Sequence, residues 1–369
     1  MADLAAQHAP LQGHLMAAAA RVFASNRFIL GDELAAFERE AAGALGVPHA
    51  VGVSSGTDAL LALLMAAGVG PGHEVVTTPY SFFATVEAIL RLGARPVFAD
   101  VRPDTLNLDP ELAAARMTPR TRAVVVVHLF GRLARTAPLT AACAAEGIPL
   151  VEDAAQAIGA RDGTGGSSGT AETCGTLGAG AALSFFPSKN LGGFGDGGMV
   201  LTSDGRVASQ IRLLRNHGAV GKLRHVAIGG NFRLDELQAA LLRVKLPALK
   251  GWTAARRRIA ARYRTLLADL PLRLPPWDAG AVWNQFVVGV PDGRRAGLIE
   301  HLDRRGIDSA IYYPIPLHLQ PALAHLGHRA GEFPHAERAA HETLALPIFP
   351  ELDEARLSRV ADAVAGFFR

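Results

Sequence analysis

The residue with the most distinctive chemistry in this chain is Lys189, which lies among aromatic residues and glycines between Leu183 and Gly198. Lysine is used sparingly: there are four lysines among 37 basic residues, and Lys189 is the only one before position 222. Arginine serves equally well on a solvated surface, but it stays protonated and cannot form an imine, whereas a desolvated lysine has a shiftable pKa and becomes a nucleophile. The sequence therefore favours a Schiff-base lysine. An ordinary solvated or phosphate-contacting lysine is the alternative for any single lysine.

A Ser/Gly turn at residues 55–58 predicts a phosphate site. The apolar run Val51–Val53 indicates a short strand, and the turn then leads into a helix that extends to about Ala67. The first N–H groups of a helix have no intrahelical acceptor and the helix dipole favours an anion, so the amides of Gly56 and Thr57 are candidate phosphate ligands. Helix capping alone explains the same residues equally simply.

An imine-forming lysine suits an aldehyde cofactor, and the chain offers the other groups that pyridoxal phosphate needs. Asp153 follows a predicted strand and supplies a carboxylate for the pyridine nitrogen. Ser184 supplies a second phosphate ligand, Phe82 a ring to stack on the pyridine, and Gln156 an amide for the phenolic oxygen. A strand-end aspartate is also a common cap and a phenylalanine is commonly core. The prediction therefore depends on the order and spacing of these residues around Lys189.

The elements that position these residues alternate along the chain. Between residues 74 and 151, β-branched apolar runs are separated by helical segments, which is typical of a mostly parallel sheet covered by helices on both faces. Ligands of such sheets bind beyond the carboxyl ends of the strands. We expect Ser55–Asp58, His128–Gly131 and Glu152–Gln156 to meet at that edge.

The remaining chain predicts a second, smaller domain. Residues 162–180 are rich in Gly, Ser and Thr and predict a loop. Beyond Pro247, an Arg-rich helix and Pro-punctuated strands replace the alternating pattern. We expect a large α/β domain over residues 1–248, with its N-terminal segment near the site, and a smaller C-terminal α+β domain over residues 249–369.

Composition excludes several classes of function. The 369 residues are 49% apolar and 19% charged with a formal net charge of +3, and no block of like charge forms a nucleic-acid arm. Arg256–Arg258 is the densest basic run and falls on a predicted helix, which indicates a solvated face. Cys143 and Cys174 lack metal-site spacing, so no metal is expected. Without a signal-like N-terminus or an apolar run of about 20 residues, we expect a cytoplasmic protein without a membrane partner.

Eight motifs carry a family resemblance: Arg27–Gly31, Val53–Leu60, Thr78–Thr85, Val151–Gln156, Ser184–Gly192, Gly195–Gly198, Asn231–Gln238 and Tyr313–Gln320. Together they resemble the DegT/DnrJ/EryC1/StrS family of sugar aminotransferases, from about residue 27 to the C-terminus. These are fold-type-I pyridoxal-phosphate enzymes of the aspartate aminotransferase superfamily. The resemblance implies that fold, with a mostly parallel central sheet flanked by helices.

The resemblance also implies a role for each site residue. Lys189 is the cofactor lysine, Asp153 pairs with the pyridine nitrogen, Gln156 lies by the cofactor ring and Phe82 stacks on it. The phosphate ligands it implies are Gly56, Thr57 and Ser184. In the family, the residue matching Asn231 reaches the phosphate of the neighbouring subunit. The expected enzyme is therefore a homodimer whose active site is shared across the interface.

The substrates follow from the same resemblance. An amino acid, usually glutamate in this family, donates its amino group, and a ketone on a nucleotide-linked sugar receives it. The run Tyr312–His318 is more similar to the subgroup acting on 3-keto sugars than to the 4-keto subgroup, which stays the alternative. Arg233, Tyr313 and His318 are the candidate substrate contacts. Phe232 and the long loop before Ser184 depart from the family's usual pattern.

Three other functions compete with a sugar aminotransferase. A lyase or aldolase on the same fold would act on an amino acid alone, and the Tyr313–Gln320 motif argues against it. A regulatory protein would keep the fold without chemistry, and the intact Lys189, Asp153 and Gln156 argue against that. A nucleotide-binding loop at Gly192–Gly198 is disfavoured because these glycines follow the lysine and do not join a strand to a helix.

Overall fold

A computed structural model describes residues 3–162 and 172–369, and in this part of the chain there are thirteen α-helices and eleven strands. The helices are α1 (Leu4–His8), α2 (Gln12–Ser25), α3 (Asp32–Leu45), α4 (Gly56–Ala66), α5 (Ala84–Arg91), α6 (Pro110–Ala115), α7 (Ala137–Ala145), α8 (Gly205–Leu214), α9 (Glu236–Lys245), α10 (Leu249–Leu266), α11 (Arg295–Asp303), α12 (Pro334–Glu342) and α13 (Glu354–Phe368). The strands are β1 (His49–Val53), β2 (Glu74–Thr77), β3 (Arg95–Phe98), β4 (Thr121–Val127), β5 (Leu150–Asp153), β6 (Gly180–Ser184), β7 (Gly198–Thr202), β8 (Ala219–Val220), β9 (Arg224–His225), β10 (Phe286–Gly289) and β11 (Thr343–Leu346).

Seven strands form the central sheet in the order β1-β7-β6-β5-β4-β2-β3. The pairs from β3 through β6 are parallel, and β7 runs antiparallel to both of its neighbours, β6 and β1. The other six strands therefore all end at one edge. The predicted mostly parallel α/β fold is confirmed.

Strand β6 was not predicted, although it leads directly to Lys189. Its Gly-Ala-Ala-Leu-Ser sequence lacks the β-branched residues that signal a strand. Small residues are needed there: a Cβ on Gly180 would lie 2.8 Å from the carbonyl oxygen of Leu201 and 3.0 Å from Leu63 of α4. The predicted 162–180 loop therefore ends where β6 begins at Gly180, and its residues 163–171 lie outside the described residues.

The C-terminal part has its own hydrophobic core. Buried side chains of α10, β10, β11 and α13 pack together, including Tyr263, Phe286, Leu344 and Val360. A separate cluster joins Leu317 and residues 323–340 to Tyr80 and Phe98 of the large sheet region. The predicted division at residues 248 and 249 stays a prediction. No helix in the described ranges is long and apolar enough to span a membrane.

Candidate active site

Three of the predicted site residues, Asp153, Ser184 and Gly56, lie at the carboxyl edge of the sheet. Asp153 and Ser184 are the last residues of β5 and β6, and Gly56 follows β1 at the start of α4. The register places Ser184 and Val53 opposite the same residue of β7, Gly198. The turn after β1 and the end of β6 are therefore neighbours, although they are far apart in the sequence.

Lys189 lies in the loop that follows β6, with its side chain half-buried. Its backbone N–H donates to the carbonyl of Phe186 at 2.8 Å, but its amine forms no hydrogen bond within the described ranges. Burial lowers the pKa of this amine to about 8, and the negative charge of Asp153 opposes that shift in part. At pH 7 about a tenth of an amine with this pKa is in the neutral form that nucleophilic attack requires, far more than for an ordinary lysine.

Asp153 is held by residues that the sequence analysis did not identify. Its Oδ2 accepts a hydrogen bond of 2.7 Å from the hydroxyl of Thr85, and Thr85 is 2.9 Å from the hydroxyl of Ser81. All three side chains are buried. A possible signal was the presence of two hydroxyl residues four positions apart, Ser81 just before α5 and Thr85 in its first turn.

Gln156 connects to the C-terminal part of the chain. Its Oε1 accepts from the N–H of Phe130 at 2.6 Å, and its Nε2 donates to the Tyr313 hydroxyl at 3.0 Å. The ring of Tyr313 lies 6.2 Å from that of Phe82. Burial, and then the charge of Asp153, raise the pKa of the Tyr313 hydroxyl, which is therefore protonated. Gln156 keeps a second amide N–H for another acceptor.

Gly56 and Ser184 approach each other closely and line a concave surface. A Cβ on Gly56 would lie 2.8 Å from the Cβ of Ser184, so only glycine allows this approach. Ser55 caps α4 by accepting from the N–H of Asp58 at 3.0 Å, which leaves the N–H groups of Gly56 and Thr57 without acceptors in the part of the chain described. Capping and anion binding are thus compatible at this helix end.

The remaining candidates lie in different environments. Asn231 is exposed and forms a bridge to Asn216, and Arg233 donates to the side chain of Asn216 at 3.0 Å. His318 is not brought to the site: its side chain is 0% exposed, lies 3.1 Å from Glu337, and packs against Phe333. Because this apolar cluster encloses His318, we no longer propose it as a substrate contact.

The residues present fit pyridoxal phosphate. The half-buried amine of Lys189 has no hydrogen-bond partner in the part of the chain that the structure describes, and it interacts with the charge of the buried Asp153. The N–H groups of Gly56 and Thr57 and the Ser184 hydroxyl line a concave space, which a Cβ on Gly56 would fill. The described residues contain no cluster of three or more potential metal ligands. The site therefore offers an imine-forming amine with separate partners for a pyridinium nitrogen and a phosphate.

Comparison with known proteins shows similarity along almost the entire chain. The transaminase named dTDP-3-amino-3,4,6-trideoxy-alpha-D-glucose transaminase, from Streptomyces venezuelae, is 44% identical over 365 residues, covering 98% of this chain and 94% of that protein. The UDP-N-acetyl-3-dehydro-alpha-D-glucosamine 3-aminotransferase of Acidithiobacillus ferrooxidans is 42% identical over 367 residues, covering 99% and 96%. A Geobacillus stearothermophilus protein named pleiotropic regulatory protein is 43% identical over 374 residues, covering 100% and 98%.

Solved structures show the same similarity in three dimensions. The crystal structure of S. venezuelae DesV has a TM-score of 0.94 at 43% identity, covering 100% of this chain and 98% of that one. The NtdA structure from Bacillus subtilis, with bound cofactor PMP, has a TM-score of 0.89 at 28% identity, covering 97% and 82%. The family's sequence profile matches residues 11–365, so this chain belongs to the DegT/DnrJ/EryC1/StrS aminotransferase family.

Proposed function

We propose that this protein is a pyridoxal-phosphate-dependent aminotransferase that moves an amino group from an amino acid, with L-glutamate as the expected donor, to the keto group of a nucleotide-linked sugar. The observation that carries the chemistry is the free amine of Lys189 beside Asp153. The substrate class is supported by relatives named for amino transfer on dTDP- and UDP-linked sugars. Both names specify a 3-amino or 3-dehydro sugar, which favours a 3-keto substrate over a 4-keto one.

The cofactor supplies an electron sink when bound, and the protein's residues supply its orientation and the proton transfers. Asp153, held by Thr85, would pair with the pyridine nitrogen, and the amides of Gly56 and Thr57 with the Ser184 hydroxyl would hold the phosphate. Phe82 covers one face of the ring. As a neutral amine, Lys189 Nζ would move a proton between the substrate carbon and the cofactor.

Two residues are candidates for substrate contacts because of where they lie. Tyr313, linked to Gln156, lies on the side of the C-terminal part, and Arg233 lies by the end of β1, where it forms a bridge with Val53. A guanidinium suits a phosphate or carboxylate. We therefore propose Arg233 and Tyr313 as substrate contacts.

A second copy of the chain completes the site. Large apolar side chains are exposed on the loops around it, including Phe82, Phe186, Phe194 and, beside the β8–β9 hairpin, Ile228. Large apolar side chains exposed around a site support a protein interface there. Asn231 is exposed next to this hairpin, where it is free to contact the phosphate bound by a partner subunit. A cytoplasmic location stays a prediction.

Absorption spectroscopy followed by turnover assays tests this proposal. The wild-type protein should gain a visible band with pyridoxal phosphate that disappears on adding glutamate, and Lys189→Ala should lack the band. The glutamate-treated enzyme should then aminate a 3-keto nucleotide sugar and regain the band. If only a 4-keto sugar is turned over, the alternative substrate is the correct one. If glutamate removes the band but no sugar is aminated, the amino acceptor is another compound. A band that does not respond to glutamate or other amino donors would favour a lyase or a regulatory role.

A further inference from the structure

Two side chains of α9 hold the loop that follows Lys189. The Oε1 atom of Gln238 accepts a hydrogen bond of 2.8 Å from the N–H of Phe194. The Nζ atom of Lys245 donates to the carbonyl oxygen of Gly192 at 2.5 Å. The loop is tightly turned there, because a Cβ on Gly192 would lie 2.1 Å from the carbonyl oxygen of Pro187. The position of this loop thus depends on a helix more than 40 residues away.

Lys245 is an unusual residue to find at this position. Its side chain is 0% exposed, and in the described part of the chain its ammonium contacts His8 and the Gly192 carbonyl rather than a carboxylate. The ammonium instead lies 5.3 Å from the ring centre of Phe194 and 5.9 Å from that of Trp252. A buried cation without a counter-ion is costly, and hydrogen bonds and aromatic faces offset only part of the cost. Burial lowers the pKa of Lys245 to about 8.

The same ammonium connects the loop to the N-terminal helix. Nζ of Lys245 lies 3.0 Å from Nε2 of His8, the last residue of α1. An ammonium only donates, so Nε2 of His8 accepts and the imidazole is neutral. Burial and the charge of Lys245 lower the pKa of His8, in agreement with a neutral ring. The His8 ring also packs on Phe194, with centroids 4.6 Å apart. One buried cation thus joins α1, α9 and the loop.

We infer that Lys245 is a positioning residue for Lys189, because its ammonium fixes the Gly192 carbonyl and seats α1 on the same loop. The inference rests on the proposed role of Lys189. Opposite Lys245, the loop is held by Asn190, whose side chain donates to the carbonyl of Val282 at 3.0 Å. With both contacts in place, the backbone on the C-terminal side of Lys189 is anchored at its first and third residues. The competing role for Lys245 is to anchor α1 alone, without any effect on the loop.

Hydrogen exchange of the full-length protein, with and without pyridoxal phosphate, distinguishes these roles. In Lys245→Met, the segment 187–195, whose first exchangeable amide is that of Ser188, should exchange at least roughly tenfold faster than in the wild type, since a charge-assisted hydrogen bond is lost. The cofactor should bind more weakly, and the pH midpoint of its visible band should shift. Lys250→Met, which removes an exposed lysine of α10, is the matched control and should change none of these.

Two further variants keep the test decisive. His8→Leu should increase exchange in residues 4–8 and leave residues 187–195 protected, because the bond from Lys245 to Gly192 remains. Lys245→Gln keeps an N–H donor and should give exchange between that of the wild type and Lys245→Met; it replaces the Met variant if that one does not fold. Wild-type exchange in residues 187–195 of Lys245→Met or Lys245→Gln would overturn the inference. None of these measurements requires sugar turnover, so failure of the proposed function would be seen separately.

Discussion

The hydroxyl of Thr85 donates a 2.7 Å hydrogen bond to Oδ2 of Asp153, 68 positions further along the chain. Thr85 lies in the first turn of α5 and Asp153 ends β5, so the bond joins a helix to the edge of the sheet where the site lies. Ser81 fixes the Thr85 hydroxyl in turn, at 2.9 Å. Two neutral hydroxyls therefore help to orient the carboxylate without neutralising its charge.

Thr85→Val should weaken cofactor binding. The substitution keeps the shape of the side chain but leaves a buried carboxylate oxygen without a donor, at a cost of about 1–3 kcal/mol. We expect the dissociation constant for pyridoxal phosphate to rise roughly tenfold, as measured by titration of the visible absorption band. Thr105→Val is the matched control, since the buried Thr105 hydroxyl has no hydrogen-bond partner in the described structure. Equal affinity of Thr85→Val and the wild type would show that Asp153 needs no positioning.

Lys189→Met should stabilise the cofactor-free protein, and the gain should depend on pH. Folding lowers the pKa of Lys189 from 10.5 to about 8. Below pH 8 the lysine is charged in both states and its burial is fully unfavourable. Between pH 8 and 10.5 the unfolded chain binds the proton and the folded chain does not, so wild-type stability rises with pH. The stability advantage of Lys189→Met should therefore be largest below pH 8 and shrink towards pH 10.5.

Urea unfolding of the cofactor-free proteins at several pH values measures this difference. Lys250→Met provides the reference for loss of an exposed lysine. Because Lys245 is present in both the wild type and Lys189→Met, its own titration cancels from the comparison. A constant difference between Lys189→Met and the wild type would contradict the lowered pKa of Lys189.

Glu236→Gln should destabilise the protein at the start of α3. Helix α3 has no side-chain cap of its own, and the buried Glu236 carboxylate accepts from the N–H groups of Gly31 at 2.7 Å, Glu33 at 2.9 Å and Leu34 at 3.1 Å. Glutamine turns an amide N–H₂ towards these donors and removes the charge that the helix dipole favours. We expect a loss of about 1–3 kcal/mol in the free energy of unfolding.

The matched control for this change is Glu354→Gln. Glu354 lies in the first turn of α13, where it is exposed and pairs with Arg262 at 2.7 Å. Exposed ion pairs contribute little, so its loss should cost at most about 1 kcal/mol. If the two variants unfold at the same urea concentration, the Glu236 carboxylate does not hold α3.

The sequence identified the groups with distinctive chemistry and missed those that act through them. Lys189, Asp153 and Ser184 stand out in the sequence because an amine, a strand-end carboxylate and a hydroxyl meet the needs of one cofactor, and their roles stay predictions. Thr85 and Lys245 were missed because their partners are 68 and 53 positions away, and no local pattern specifies such a contact. His318 was suggested by its motif, but its burial depends on packing against Phe333 of another segment.

Subunit mixing tests whether the active site is shared. Lys189→Ala removes the amine from one subunit, and Asn231→Asp would place a carboxylate against the phosphate bound by the partner; each variant alone should be nearly inactive. In a shared site, a hybrid dimer carries both changes at one site and none at the other. Random reassortment of equal amounts makes about half of the dimers hybrids, each with one intact of two sites, so about a quarter of wild-type activity should return.

The readout is glutamate-dependent loss of the visible band together with sugar turnover after co-refolding the two variants. Lys189→Ala mixed with Lys189→Met is the control, because no pairing of these chains restores an amine. If each site were built from one chain, the hybrid would hold two defective sites and activity would stay at the level of the separate variants. Recovery of activity therefore requires that Asn231 of one protomer belongs to the same active site as Lys189 of its partner. The exposed position of Asn231 allows this.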